Sequence, residues 1–322
     1  MTRRIKAAVV TSFDEPPHYQ IFDLPKPAPG MALLDVVAVG IHPRVRSGAA
    51  GRHYTSTGAL PMIPGIDGVA RRTDGALVYF AAADDVVGTM AEKAIVDPRR
   101  SIELPRHVDV ATVAAAMNPA MSSWVALRKR VPLESGQRVL ILGATGNAGT
   151  MAVQIAKRLG AAEVVGAGRD PERLARLTSL GADRTVQLTA DNEATDEALG
   201  QAAAEVDIVI DYLWGEPAKQ AMIALLTRRA DRSRTLDWIQ IGAVAGPELT
   251  LPSVALRSSN LRIQGVGQGA ISGGGYLAEL PSLIEQIAAG NISIETITAP
   301  LADIESLWTR PENPGRRTVV LP

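Results

Sequence analysis

The chain has 322 residues, of which 46% are hydrophobic and 21% charged, a composition typical of a globular protein with roughly two domains. Its formal net charge is −1, so the overall balance gives no electrostatic basis for binding nucleic acid or an acidic membrane. There are no cysteines, which excludes disulfides, thiolate nucleophiles and every zinc site that uses cysteine.

The first third of the chain predicts short strands and loops. Polar residues follow Val10 too soon for the apolar core of a signal peptide, and we expect a cytoplasmic protein without a membrane-spanning segment. Frequent prolines disfavour long helices in this region. Short β-branched runs and related patterns predict strands at residues 7–10, 33–39, 76–80 and 92–96.

Residues 110–117 and 122–130 are rich in alanine and predict two helical segments. A regular alternation of strand and helix patterns then runs from residue 138 to 265, which predicts an α/β fold with a doubly wound parallel sheet. A helix at 278–289 and a strand at 318–321 follow. The predicted strands of the alternation are 138–143, 163–167, 184–188, 206–210, 236–242 and 261–265, and its helices are 148–159, 172–180, 193–204 and 217–229.

The strongest motif is a glycine-rich turn between the first strand and helix of this alternation. Gly143 permits a tight turn, Gly146 lets backbone N–H groups approach a pyrophosphate, and Gly149 lets helix and strand pack closely. The positive end of the helix dipole then faces the phosphates of a dinucleotide. The residues expected to line this site are Gly143, Ala144, Thr145, Gly146, Asn147, Ala148 and Gly149.

The spacing is GxxGxxG, and with it the chain resembles the zinc-independent quinone oxidoreductase branch of the medium-chain dehydrogenase/reductase (MDR) superfamily. The resemblance covers nearly the whole chain. It rests on six further segments in the family's order, at residues 41–48, 60–68, 74–80, 88–92, 118–124 and 300–304.

The resemblance implies a GroES-like, mostly-β catalytic domain at residues 1–118 and 263–322, a Rossmann dinucleotide-binding domain at 119–262, and an active site in the cleft between them. It implies hydride transfer from NADPH (NADP) to a quinone or small α,β-unsaturated carbonyl compound. It also implies a homodimer that joins at the sheet edge near 261–265.

The resemblance implies no metal. His42 stands where zinc-dependent relatives have their first cysteine, while Ile66 and Asp67 replace their histidine and its adjacent acid. The four histidines show no pattern of a three-ligand site. A site made of His42 and Asp67 is the alternative, although it has few ligands.

The end of the second strand predicts a preference for NADPH. An acid there would bind the ribose diol of NAD, but this chain has Gly168 followed by Arg169, which leave space and a cation for a 2′-phosphate. Arg169 could instead be a solvated surface charge. Asp170 could reach a ribose hydroxyl, but it more naturally caps the following helix.

The nicotinamide is expected near Gly242, Ala243 and Val244, where the family places a backbone contact to the carboxamide. Ser122 falls on a family threonine on the nicotinamide side, and Asn118 is nearby. Both could equally be helix caps.

His42 and Tyr54 are the candidate catalytic residues, as donors to the carbonyl oxygen that gains negative charge. The alternatives are a packed histidine bonded to backbone and a surface aromatic. Rival functions are an enoyl-thioester reductase and a catalytically silent NADPH-binding regulatory protein; nothing in the charge pattern indicates nucleic acid.

Overall fold

The computed structural model describes residues 2–310 and 315–322 and divides the chain into two compact units. The split unit comprises Met1–Asn118 and Leu280–Pro322, and the central unit comprises Pro119–Glu279. The sequence predicts the second boundary between the units at 262/263, whereas the structure has it at 279/280. Residues beyond 262 stay with the central unit because Glu279 is buried there and its carboxylate lies 3.0 Å from Nζ of Lys129.

The strands are short, as the frequent glycines and prolines suggest. In chain order they are β1 (Arg3–Val9), β2 (His18–Leu24), β3 (Ala32–Gly40), β4 (Asp67–Arg71), β5 (Leu77–Ala81), β6 (Lys93–Val96), β7 (Ser101–Glu103), β8 (Arg138–Leu142), β9 (Glu163–Gly168), β10 (Arg184–Gln187), β11 (Ile208–Asp211), β12 (Leu236–Gln240), β13 (Leu261–Gly265), β14 (Glu295–Pro300) and β15 (Arg316–Leu321).

The two longest helices have 16 residues each, and the remaining helices of the central unit lie between its parallel strands. In chain order the α-helices are α1 (Pro43–Ala49), α2 (Val110–Val125), α3 (Asn147–Arg158), α4 (Pro171–Leu177), α5 (Asn192–Ala203), α6 (Gly215–Arg228), α7 (Ser253–Arg257), α8 (Gly273–Ala288) and α9 (Ile304–Thr309).

The central unit is built on a six-stranded parallel sheet in the order β10-β9-β8-β11-β12-β13. The predicted α/β alternation is confirmed, and every predicted strand of the series is present. The chain runs outward from β8 through β9 to β10, then returns to β11 beside β8 and continues the other way. The strand order therefore reverses between β8 and β11, which is where open α/β sheets form their ligand crevice. Side chains on both faces are buried, as helix-covered parallel strands require.

The split unit contains a mixed sheet in the order β14-β15-β3-β4-β5-β7, with β6 also paired to β3, and a separate antiparallel pair of β1 and β2. The mostly-β character predicted for this part is confirmed. The elements of this unit that were not predicted from the sequence are β2, β4, β7, β14, α1 and α9. Strand β14 is largely exposed and β2 is largely half-buried, and neither shows a clean alternation of buried and exposed residues, so their patterns carry little signal.

Helix α2 corrects the expectation of two separate helical segments. It runs unbroken through Pro119 and continues into a π-helical turn, Ala126–Arg130. The continuous segment Val110–Arg130 has the length and composition to cross a bilayer, which the sequence analysis did not recognise because Pro119 divides it. Within the fold, 72% of its most apolar window is buried, so burial inside the protein accounts for its apolar character.

Candidate functional site

The turn between β8 and α3 is closed by glycine backbone. Gly143 has a φ of +82°, in the left-handed region that favours glycine. A Cβ atom on Gly149 would lie 2.2 Å from the carbonyl oxygen of Gly143 and 2.6 Å from Cα of Ala144. These are backbone atoms that cannot rotate away, so α3 can start this close to the strand only without a side chain at 149.

The N-terminus of α3 offers a polar but uncharged surface. Gly146 is its N-cap and supplies no side-chain hydrogen bond, and the first turn contains no acidic residue. Such a terminus leaves N–H groups and the positive end of the helix dipole for an anion. Gly146 is exposed, whereas Ala144 and Gly149 are buried, so the turn presents its middle to the exterior. Its geometry fits a phosphate group.

The end of β9 explains in steric terms why no acid stands there. Gly168 is buried, and a Cβ atom on it would lie 2.6 Å from Cγ2 of Thr145 and 2.7 Å from its hydroxyl. Arg169 is exposed. Asp170 accepts a hydrogen bond from the backbone N–H of Arg173, which confirms it as the cap of α4.

A segment that sequence reasoning missed lies where the strand order reverses, at the end of β11. The carboxylate of Asp211 is buried and accepts hydrogen bonds from the backbone N–H groups of Leu213 and Trp214 and from Nε1 of Trp238. Burial raises the pKa of Asp211, against these three donors. Trp214 has a φ of +52°, a region that costs a non-glycine residue about 1–3 kcal/mol. An acid directly after a buried strand was the available sequence signal.

Ser122 and Asn118 lie inside α2, so their interpretation as helix caps is wrong. The helix continues past both because Pro119 is accommodated within it. The hydroxyl of Ser122 donates to the carbonyl of Pro119 at 2.8 Å, and its oxygen lies 3.0 Å from the phenol oxygen of Tyr212.

The segment after β12 was predicted to meet the carboxamide. Gly242 lies directly against the end of the neighbouring strand β11, since a Cβ atom on Gly242 would be 2.8 Å from the carbonyl oxygen of Tyr212. Ala243 and Val244 are exposed, Val244 to 79%. The structure therefore places the Gly143 turn, Ser122 and Gly242 together in the central unit around Tyr212.

In the split unit, the structure brings His42 together with Asp67. The imidazole is buried at the start of α1, and its Nε2 lies 3.3 Å from Oδ1 of Asp67. The phenol of Tyr79 donates to Oδ2 at 2.8 Å, and the hydroxyl of Thr89 donates to the backbone carbonyl of Asp67. His42 is thus a packed histidine bonded to the carboxylate of Asp67, a residue that was paired with it in the sequence analysis only as an alternative metal site. We refer to His42, Asp67 and Tyr79 as the buried polar network.

Burial is the largest influence on the pKa of His42 and lowers it, with smaller opposing effects from Asp67 and a further lowering by the charge on Arg317. The imidazole is therefore neutral at pH 7 and donates through Nε2. Burial also raises the pKa of Tyr79, which keeps its phenol protonated as a donor. Among residues 2–310 and 315–322 there is no group of three His, Cys, Asp or Glu side chains that could hold a metal ion.

Tyr54 lies on the loop after α1 and is 70% exposed. Its ring contacts the imidazole of His53, with 4.3 Å between ring centroids. Burial, followed by the charge of Arg44, lowers the pKa of His53 to about 4. Tyr54 is thus an exposed phenol beside a neutral imidazole, within the same unit as the buried polar network.

Comparison with known proteins identifies the family. A family model described as zinc-binding dehydrogenase matches residues 148–285. A probable NADPH-dependent quinone reductase, tdiC, of Emericella nidulans is 31% identical over 98% of this chain and 99% of its own length. The NADPH-dependent alkenal/one oxidoreductase of Arabidopsis thaliana is 27% identical over 50% of this chain and 45% of its own length.

Solved structures agree on the fold. The quinone oxidoreductase of Thermus thermophilus, also solved with NADPH, superposes with a TM-score of 0.80 at 24% identity, over 98% of this chain and all of that one. A putative NADPH:quinone reductase of Bacillus thuringiensis has a TM-score of 0.82 at 15% identity, with both chains fully covered. The chain belongs to the quinone oxidoreductase-like group of the MDR superfamily and has its Rossmann and GroES-like folds.

Proposed function

We propose that this chain transfers hydride from NADPH to a quinone or a small α,β-unsaturated carbonyl compound without a metal. The observation that carries the proposal is the glycine turn at the reversal of the strand order, with Gly168 closed against Thr145 and followed by an exposed arginine. The named activities of the relatives from Emericella nidulans and Arabidopsis thaliana support the cofactor and the substrate class.

The preference for NADPH follows from the end of β9. An acid at position 168 would bind the ribose diol of NADH, but its Cβ atom would displace the side chain of Thr145. Arg169 supplies a cation for a 2′-phosphate. The proposed cofactor contacts are Ser122, Gly143, Ala144, Thr145, Gly146, Asn147, Ala148, Gly149, Gly168, Arg169, Gly242, Ala243 and Val244.

When bound, the nicotinamide supplies the hydride, and the protein orients it and meets the negative charge that develops on the substrate oxygen. We assign that second task to Tyr54 and His42. The phenol of Tyr54 carries an O–H donor. His42 already donates through Nε2 to Asp67, so it would reach a substrate oxygen through Nδ1, a buried atom without a hydrogen-bond partner among the described residues. It can donate there only as an imidazolium, which Asp67 favours and burial opposes.

The donor set argues for chemistry without zinc. His42 and Asp67 are two ligands, whereas catalytic zinc uses three protein ligands, and the chain has no cysteine to supply another. Reduction of an electron-poor quinone or enone needs mainly orientation and a donor at oxygen. We expect elemental analysis to find no stoichiometric zinc and turnover to survive chelation. Loss of activity on removal of one bound zinc would overturn this part of the proposal.

One assay separates the proposal from its rivals. NADPH oxidation is measured with 9,10-phenanthrenequinone, with a small enone and with a crotonyl thioester. Faster turnover of the quinone or the enone supports the proposed function, whereas preference for the thioester identifies an enoyl-thioester reductase. NADPH binding without turnover of any of the three would identify the regulatory alternative.

We also propose a homodimer that joins through β13, the end strand of the parallel sheet. Ile263 on this strand is 38% exposed, and Val254 and Leu256 on α7 are 55% and 51% exposed. An apolar sheet edge of this kind is a template for pairing with a second copy. Light scattering at micromolar concentration should give twice the mass of the chain, and a monomer would contradict the proposal.

A further inference from the structure

Three segments proposed to bind the cofactor, far apart in the chain, meet at one residue that the proposed function does not use. The oxygen of Tyr212 is 3.0 Å from Oγ of Ser122. A Cβ atom on Gly143 would lie 3.3 Å from Cβ of Tyr212, and one on Gly242 would lie 2.8 Å from its carbonyl oxygen. Tyr212 therefore lies against the glycine turn at Gly143, the segment after β12 at Gly242, and Ser122.

The backbone of Tyr212 is fixed on both sides. Its N–H donates to the carbonyl of Leu142 at the end of β8, and its carbonyl accepts from Val244. The preceding carbonyl, of Asp211, accepts from Ile241 and Gly242. These bonds fix the backbone of Tyr212, and burial of its side chain restricts the two torsions that remain.

The other hydrogen bond of Ser122 decides which partner donates in its contact with Tyr212. A serine hydroxyl has one hydrogen and two lone pairs, and Ser122 donates its hydrogen to Pro119. The phenol must then donate to Ser122. Burial raises the pKa of Tyr212 to about 12, so the phenol is protonated at every physiological pH, and the hydroxyl of Ser123 also interacts with it. Ser122 is left with one free lone pair and no free hydrogen.

We propose that Tyr212 is a positioning residue, which holds Ser122 as an acceptor for the amide N–H of the nicotinamide. The inference rests on the proposed function, because it needs a nicotinamide at Ser122. An acceptor locked in one direction suits the carboxamide NH2 group and not its carbonyl, so it selects one of the two orientations of the amide. Fixing the ring in one orientation is how a protein sets the approach of the hydride.

The test compares NADPH with 2′,5′-ADP, which lacks the nicotinamide. We expect Tyr212→Phe to weaken NADPH binding about 3- to 10-fold, the effect of one neutral hydrogen bond, and to leave binding of 2′,5′-ADP unchanged. A role in packing alone would weaken both ligands equally or neither. Affinities come from fluorescence titration and calorimetry, so the readout does not depend on turnover.

Ser122→Ala removes the acceptor itself. It should also weaken NADPH binding and leave 2′,5′-ADP binding unchanged, so it replaces the tyrosine variant if that variant fails to fold. The double variant should lose no more NADPH affinity than the weaker-binding single variant, because both substitutions remove the same hydrogen-bonded arrangement of Tyr212 and Ser122. Ser179→Ala is the matched control, because Ser179 makes a similar bond to the carbonyl of Arg176 in the same unit; neither ligand should change. Equal loss of both ligands, or unchanged NADPH binding, overturns the assignment of Tyr212. Wild-type protein that binds 2′,5′-ADP but not NADPH overturns the proposed function instead.

Discussion

The glycine turn of the central unit and the buried polar network of the split unit are built on opposite principles. The turn from Gly143 to Gly149 is made of backbone, and its shape depends on the absence of side chains at fixed positions. The network joins three side chains, from the N-cap of α1, from β4 and from β5, through hydrogen bonds inside the protein. The first can be recognised from spacing along the chain, whereas the second exists only once strands have paired.

The difference has an energetic counterpart. A glycine turn fails when an atom is added, because close-packed backbone has nowhere to move. A buried polar network fails when an atom is removed, because each remaining donor or acceptor is left without a partner. The two regions should therefore respond to opposite kinds of substitution.

The largest effect is expected for Gly149→Ala. Its new Cβ atom would lie 2.2 Å from backbone oxygen, so the turn must open, at a cost of about 4 kcal/mol, above the usual range for overpacking. NADPH affinity should fall by at least about 100-fold, or the unit should fail to fold. Thermal unfolding and fluorescence titration measure both. Gly273→Ala is the control, because nothing lies within 4 Å of its Cβ position; unchanged NADPH binding in Gly149→Ala would refute the close packing.

Next come the candidate donors. Tyr54→Phe and His42→Ala should lower the rate at saturating NADPH by about 10- to 1000-fold, as for loss of one oxyanion contact, with NADPH affinity unchanged. Because His42 is buried and Tyr54 is 70% exposed, only His42→Ala should also lower the unfolding temperature. Full turnover in both variants between pH 5 and 9 would show that solvent and shape suffice.

Asp67→Ala tests the network as a structural unit. It leaves the Tyr79 phenol and Nε2 of His42 buried without their shared acceptor. We expect the free energy of unfolding to fall by about 3 kcal/mol, from two groups at about 1–3 kcal/mol each. Asp74→Ala is the control in the exposed turn between β4 and β5, where the carboxylate pairs with Arg72 and accepts from the backbone N–H of Ala76, and denaturant unfolding should detect a much smaller change. Equal midpoints for the two variants would contradict a cooperative network.

Arg169→Ala tests the proposed cofactor contact at the end of β9 in the central unit. Loss of a charge-assisted contact to the 2′-phosphate should weaken NADPH binding by roughly 1–3 kcal/mol and leave NADH nearly unchanged. Titration of both cofactors by fluorescence measures the difference. If the wild-type protein binds NADH as tightly as NADPH, Arg169 is a solvated surface charge, and the assigned preference fails.

The smallest effect is on the pH dependence of stability. The pKa of His42 is lowered from 6.5 in the folded state, so the unfolded state binds the extra proton first. This contribution to stability is fully present above pH 6.5 and is lost as pH falls below it. The unfolding temperature should drop between pH 7 and 5, and by less in His42→Asn. His53, with a pKa of about 4, makes a parallel contribution, which His53→Gln should remove separately. An identical drop in all three proteins would contradict the burial of these rings.

The sequence by itself predicted the parallel sheet, the glycine turn and the cap at Asp170, because each leaves a pattern in residues close together in the chain, even though the strands of the sheet pair over long separations. Hydrophobic runs of β8, β9 and β11 and glycines at spacing three carry that information locally. It did not determine that α2 continues through Pro119, since the helix interior can tolerate one missing hydrogen bond where burial favours it. Only the tertiary structure showed that His42 and Asp67 form a buried hydrogen bond, and the antiparallel register of β4 and β5 added Tyr79 to the pair. It also brought Tyr212 to Ser122 across 90 residues, and no periodicity encodes a contact at that separation.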